Sequence, residues 1–234
     1  MAGTGPAAGW TSKFADLGVR VASSLAIGVV ALVCLWLGGM WAILLAGVAV
    51  AAMLRELWHI MRPSQTESGW MFFAVCAAYV ALAGLAFVWL RNEAPHGLLS
   101  VLWAAATVVA ADVGGYFAGR LIGGAKLWPS ISPKKTWAGL GGAVALASLA
   151  GGLFSWATTG TYFYEVCVVS MIAALVAQGG DLAESALKRH FSVKDAGTLI
   201  PGHGGVLDRL DGHMAAILVA AAFTAWRDQA VFIW

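Results

Sequence analysis

The chain has 234 residues, 60% of them hydrophobic and only 11% charged, with a formal net charge of +2. Soluble domains carry roughly 25% charged residues, so this composition excludes a water-soluble globule. The apolar residues come in blocks of about twenty, each long enough to cross a hydrocarbon core roughly 30 Å thick, and the fold class expected is an all-α, polytopic transmembrane helix bundle.

In chain order, residues 1–18 read as a cytoplasmic N-terminal segment and 19–233 as a single integral-membrane domain. The first apolar block lacks a clear small-residue cleavage site, so it reads as a retained helix and not as a removed signal peptide. About seven spans are expected, at 19–37, 41–58, 70–90, 98–117, 138–156, 163–183 and 214–232. All six prolines fall between them, where a missing backbone donor costs little. Trp36, Trp41, Trp70, Trp89 and Trp156 sit near proposed ends, as in an aromatic belt. A cytoplasmic N-terminus puts twelve basic residues inside and leaves only Arg91 and Arg227 outside. That bias turns two polar loops, 118–137 and 184–213, toward the cytoplasm, and seven spans would put the C-terminus outside. Cys34, Cys76 and Cys167 lie in apolar spans without CxxC spacing and read as buried thiols. The run "GLGGAVALASLAGG" reads as close helix packing and not as a phosphate loop.

The fourth span ends in "TVVAADVGGYFAG", where Asp112 is a carboxylate that must face protein, water or a cation. It reads either as a site residue or as a hydrogen-bond partner of a neighbouring helix. The loop that follows contains "SPKKTW", in which Ser132, Lys134, Lys135 and Thr136 place hydroxyl and ammonium donors around Pro133. Such a group suits the phosphate of a headgroup or nucleotide, although any one lysine also serves as a topological signal.

The second loop is richer. Asp181, Glu184, Ser185 and Lys188 are spaced so that they share one face if the sixth helix continues through them. Asp208 and Asp211 repeat the i, i+3 spacing with Arg209 between them. Separated acidic elements at one interface invite a shared hard cation, because Mg²⁺ prefers oxygen ligands together with substrate phosphates. The intervening "PGHGG" has few side chains, which would let backbone donors approach a phosphate. His190 and His203 read either as ligands or as hydrogen-bonding residues. The absence of Cys/His clustering argues against zinc. Carboxylates for a metal and Lys/Arg for phosphates together describe phosphoryl or nucleotidyl transfer.

The segment from Ser185 through Lys188, Arg189, Lys194, Asp195, Pro201, His203, Gly204 and Gly205 to "DRLD" resembles the signature of the phosphatidate cytidylyltransferase family, the CDP-diacylglycerol synthases. "GDLAES", "SPKKTW" and "DVGGYFAGR" resemble three further elements of that family. Two positions depart from its pattern, Ala138 where Glu is common and Gly115 where Ala is usual, and the chain is short for the family, which implies one or two fewer N-terminal spans.

The resemblance implies transfer of a cytidylyl group from CTP to phosphatidic acid, giving CDP-diacylglycerol and pyrophosphate, with Mg²⁺ and room for a second cation, at a bacterial inner membrane. On it, Asp181 and Asp208 would bind metal, with Asp211 as a further ligand or as a holder of Arg209. Lys188, Arg189, Lys194 and Arg209 would neutralise triphosphate and pyrophosphate. Asp112, Ser132, Lys134, Lys135, Thr136, Ser185, His203, Gly204 and Gly205 would contact nucleotide or lipid. The partners implied are CTP, phosphatidic acid, the bilayer and, as a candidate, a second copy in a homodimer, with no nucleic acid. The alternatives are a CTP-using membrane enzyme acting on another lipid, such as a polyprenol kinase or ether-lipid CDP synthase, and a transporter of a phosphorylated metabolite. A transporter would spread its charges along the spans.

Overall fold

A computed structural model describes residues 25–61, 67–93, 95–200 and 204–233. The 1–18 segment, the start of the first expected span and His203 lie outside these residues. The described chain forms α1 (Leu25–Leu37), α2 (Gly39–Met61), α3 (Glu67–Asn92), α4 (Gly97–Leu121), α5 (Trp137–Thr159), α6 (Phe163–His190) and α7 (Leu207–Arg227). The seven expected spans map onto these seven helices in order. Five of them, α2 to α6, are long and apolar enough on their own to cross a bilayer. This is a membrane protein built as a helical bundle.

Two elements differ from the sequence expectation. The first polar loop folds as an antiparallel hairpin, β1 (Lys126–Trp128) with β2 (Ser132–Thr136), in which Lys126 pairs with Thr136 and Trp128 with Ser132. The register shifts between those pairs, where Pro133 has no N–H to give the ladder. The last helix starts at Leu207 instead of 214, so it carries Asp208, Arg209 and Asp211 in its first turns. It ends at Arg227, where Asp228 adopts a left-handed φ of 55°. The chain then folds back, burying Phe232, whose carbonyl accepts a 2.8 Å hydrogen bond from Ser155 Oγ.

Small residues set the spacing of the central helices. A Cβ on Gly114 of α4 would overlap the Gly142 carbonyl of α5, and a Cβ on Gly142 would meet Ala118. Only glycine permits that approach, and backbone proximity is what packs helices where lipid offers no hydrophobic drive. Ala111, Ala143, Ala147 and Ala174 continue this contact into α6. At one end of the bundle, Trp103, Leu90, Val166 and Phe232 form a core; toward the other, Met53, Leu57, Val80, Leu187, Leu207 and Met214 form a second. The second core takes in Val193, Ala196 and Val206 of the second polar loop, and α2, α3, α6 and α7 meet there.

Candidate active site

The hairpin is tied to α6 and α5 by its own residues. Thr136 Oγ1 accepts from Gly139 N–H at 3.0 Å and caps α5, so this residue of "SPKKTW" has a local task in helix initiation. Lys135, its neighbour, reaches α6: its Nζ lies 2.6 Å from Asp181 Oδ2 and 3.0 Å from Gln178 Oε1. Between α4, β2, α5 and α6 lies a cavity of about 340 Å³ lined by Asp112, Lys134, Lys135, Thr136, Gln178 and Asp181, with Tyr116 and Arg120 on its α4 wall. Arg120 donates to the Tyr116 hydroxyl at 2.9 Å. The cavity is thus rimmed by three basic side chains and two carboxylates.

Helix α6 does continue through the second motif, so Asp181, Glu184, Ser185 and Lys188 share a face. The carboxylates that converge among the described residues are Asp181, Glu184 and Asp211, with one oxygen from each within 4.8 Å of the others. Glu184 is buried, and its Oε1 has no hydrogen-bond partner among the described residues. The other oxygen, Oε2, lies 2.7 Å from Lys188 Nζ. Ser185 Oγ lies 3.5 Å from Asp181 Oδ1, at the limit of hydrogen-bond reach. Three oxygen ligands, one of them orphaned and desolvated, form a donor set suited to a hard divalent cation.

Asp208 stands beside this group and is occupied differently. Its Oδ1 is 2.7 Å from Lys188 Nζ, and its Oδ2 accepts from Ala196 N–H at 2.9 Å and Gly205 N–H at 3.1 Å. Lys188 therefore sits between Glu184 and Asp208 and links the two acidic elements. Burial alone would raise the Asp208 carboxyl, but hydrogen bonds from Lys188, from Glu184 and from the Ala196 N–H outweigh it and hold the group below its ordinary value. Asp211 goes the other way: burial first, then the negative charge of Asp181, push it up to about 6.

The remaining expected residues are distributed around this centre. Lys134 and Arg189 are exposed, and Arg189 Nε donates to the Ile131 carbonyl of the hairpin turn at 3.4 Å. Lys194 and Arg209 are exposed on the loop and on α7. Ser132 lies in β2 opposite Trp128. Gly204 bridges to Ile200, and the Gly205 N–H is directed at Asp208, so that donor is already engaged.

The sequence model of the cytidylyltransferase family matches residues 61–226, well over half of the chain and inclusive of every residue of this site described so far. The chain belongs to the cytidylyltransferase family. Among curated relatives, a phosphatidate cytidylyltransferase of Brucella suis is 40% identical over 166 residues, covering 71% of this chain and 62% of the relative. One from Bacillus subtilis is 37% identical over 144 residues, covering 61% and 54%, and one from Staphylococcus saprophyticus is 38% identical over 152 residues, covering 64% and 58%. The chain thus spans less than two thirds of the length of the relatives it matches.

Glu184, which its spacing already grouped with Asp181 on one face of α6 but to which no ligand role was given, joins the carboxylate group. One further acidic residue was not anticipated from the sequence. Glu56, from α2, accepts from Val206 N–H at 3.0 Å and Leu207 N–H at 2.9 Å across the whole sequence, and no local pattern carries that contact.

Proposed function

We propose that this chain transfers a cytidylyl group from CTP to phosphatidic acid, releasing pyrophosphate and forming CDP-diacylglycerol, at the cytoplasmic face of a bacterial inner membrane. The observation that carries the reading is the meeting of the Asp112–Lys134–Lys135 cavity with the Asp181–Glu184–Asp211 group at one end of an apolar bundle. A lipid phosphate at the interface and a nucleotide triphosphate from solution can both reach that end. Relatives bearing the corresponding name support the same reaction.

An oxygen of phosphatidate attacks the α-phosphorus of CTP; the new O–P bond forms as the bond from the α-phosphorus to the bridging oxygen breaks, and the electron pair leaves on pyrophosphate. The attacking oxygen is already anionic, so little general-base help is needed, and the barrier is dominated by bringing two anions into line. Lys134, Lys135 and Arg120 supply positive charge on the cavity wall. Lys188, Arg189, Lys194 and Arg209 supply it at the α6–α7 side, toward the departing pyrophosphate. Asp181, Glu184 and Asp211 would hold Mg²⁺, which when bound neutralises phosphate charge. Asp208 would serve a second cation only after Lys188 leaves its Oδ1, and until then it orients Lys188 and the loop.

Labelled CTP incubated with the solubilised protein and a panel of phosphatidic acid, polyprenol and ether-lipid acceptors tests the reading. The expected result is a CTP-dependent liponucleotide formed on phosphatidic acid. Labelling confined to another acceptor, or nucleotide release without lipid labelling, overturns it.

A further inference from the structure

Glu56 lies in α2, before the family-matched stretch begins at residue 61, yet it is only 1% exposed and sits beneath the α7 end of the site. Its Oε1 accepts from Val206 N–H and its Oε2 from Leu207 N–H, the first backbone donors of a helix that has no side-chain cap of its own. A helix start leaves such donors without intrahelical partners, and its positive end favours a carboxylate. Glycines close over the same group: a Cβ on Gly197 would lie 2.6 Å from Glu56 Oε1, and one on Gly205 2.8 Å from Oε2. The neighbouring Ala196 and Gly205 amides donate to Asp208. Two carboxylates, one from α2 and one from α7, therefore gather the same short pieces of loop.

We infer that Glu56 is a positioning residue for the site. It touches no group of the cavity. It seats residues 196–197 and 205–207, so that the Ala196 and Gly205 amides meet Asp208 Oδ2 and Asp208 Oδ1 meets Lys188. Glycine at 197 and 205 is the condition for this seat, since either side chain would enter the space of the carboxylate. Without Glu56, two buried N–H groups lose their acceptors and the loop is docked for a smaller share of the time. A smaller docked fraction scales kcat, while substrates binding at the cavity wall keep their KM.

The kinetic part of this inference rests on the proposed reaction; the structural part does not. The test uses the full chain in lipid nanodiscs and compares wild type with Glu56→Gln, whose amide keeps the size but presents a donor to one of the two N–H groups. Backbone hydrogen exchange over residues 204–208 is expected to accelerate by about tenfold or more while α4 and α5 are unchanged. In the same samples, kcat is expected to fall by about tenfold, with KM for CTP within about twofold of wild type. Unchanged exchange over 204–208, or faster exchange spread evenly over all helices, overturns the inference. If Glu56→Gln does not fold, Gly205→Ala disturbs the seat from the other side with Glu56 intact: the same local acceleration supports the inference and native exchange overturns it. Wild-type turnover of CTP and phosphatidic acid tests the reaction separately, so the two failures are distinguishable.

Discussion

At the scale of single residues, the site depends on carboxylates whose environments differ. Asp211 is held near 6 by burial and by Asp181, so a metal must displace its proton below about that pH. Mg²⁺ affinity measured by titration calorimetry should weaken as the pH falls through 6, by about tenfold per unit or more below it, because the Asp211 proton competes with the ion. A flat profile across this range would exclude Asp211 as a ligand. Asp181→Asn should remove Mg²⁺ binding and lower turnover by about 100-fold or more in a protein that still inserts. Asp208→Asn should also lower turnover by about 100-fold, since Lys188 and two loop amides lose an anionic partner. A purified Asp208→Asn variant keeping more than about a tenth of wild-type turnover would remove Asp208 from the site. The spacing of Asp181, Ser185, Lys188, Asp208 and Asp211 made the reactive end of the chain readable. The place of Lys188 between Glu184 and Asp208 was not, because it depends on how α6 and α7 lie against each other, and side-chain spacing within one helix says nothing about the neighbour.

At the scale of elements, the hairpin and the α4–α5 contact fix the cavity. Thr136→Ala removes the α5 cap at the cost of about 1 kcal/mol, read as a lowered thermal midpoint in detergent, while Thr136→Ser should retain most of it. Gly142→Val should be far more damaging, because its side chain would enter the space of Ala118 and the Gly114 backbone and push α4 from α5, opening the cavity on both walls. The hydrophobic blocks announced the helices, and the glycine run announced the close contact. The hairpin stayed hidden because "KLWPSISPKKT" has three-residue and five-residue strands broken by Pro133, too short and irregular for an alternating pattern to emerge. The early start of α7 was masked by its charges, which read as loop when only hydropathy is counted, whereas Glu56 makes a helix start there favourable.

At the scale of the whole molecule, basic and acidic function gathers at one end. Arg91 closes the other end by donating to the Leu35 and Trp36 carbonyls, which ties α1 to α3. The excess of basic residues at that end is the basis for proposing that it faces the cytoplasm. In a background with the three native cysteines replaced by alanine, Lys134→Cys should react with a membrane-impermeant maleimide only in inverted vesicles, and Glu93→Cys only in intact spheroplasts. The reverse pattern would invert the topology. Charge counting yields an orientation to test because it depends only on totals; the place of Glu56 was not readable, because its partners are 150 and 151 residues away. One ion pair also bears on how the protein comes into being. Lys135 already places an ammonium against Asp181, so the acidic pocket carries a resident counter-charge of its own before any metal arrives. Insertion and folding need not wait for an ion: a chelator should leave the thermal midpoint of the metal-free protein where it is, and saturating Mg²⁺ should add about 2.7 kcal/mol at a hundredfold excess over its dissociation constant. Were a divalent cation held by Asp181, Glu184 and Asp211, the Lys135 ammonium would be free to turn toward a nucleotide phosphate.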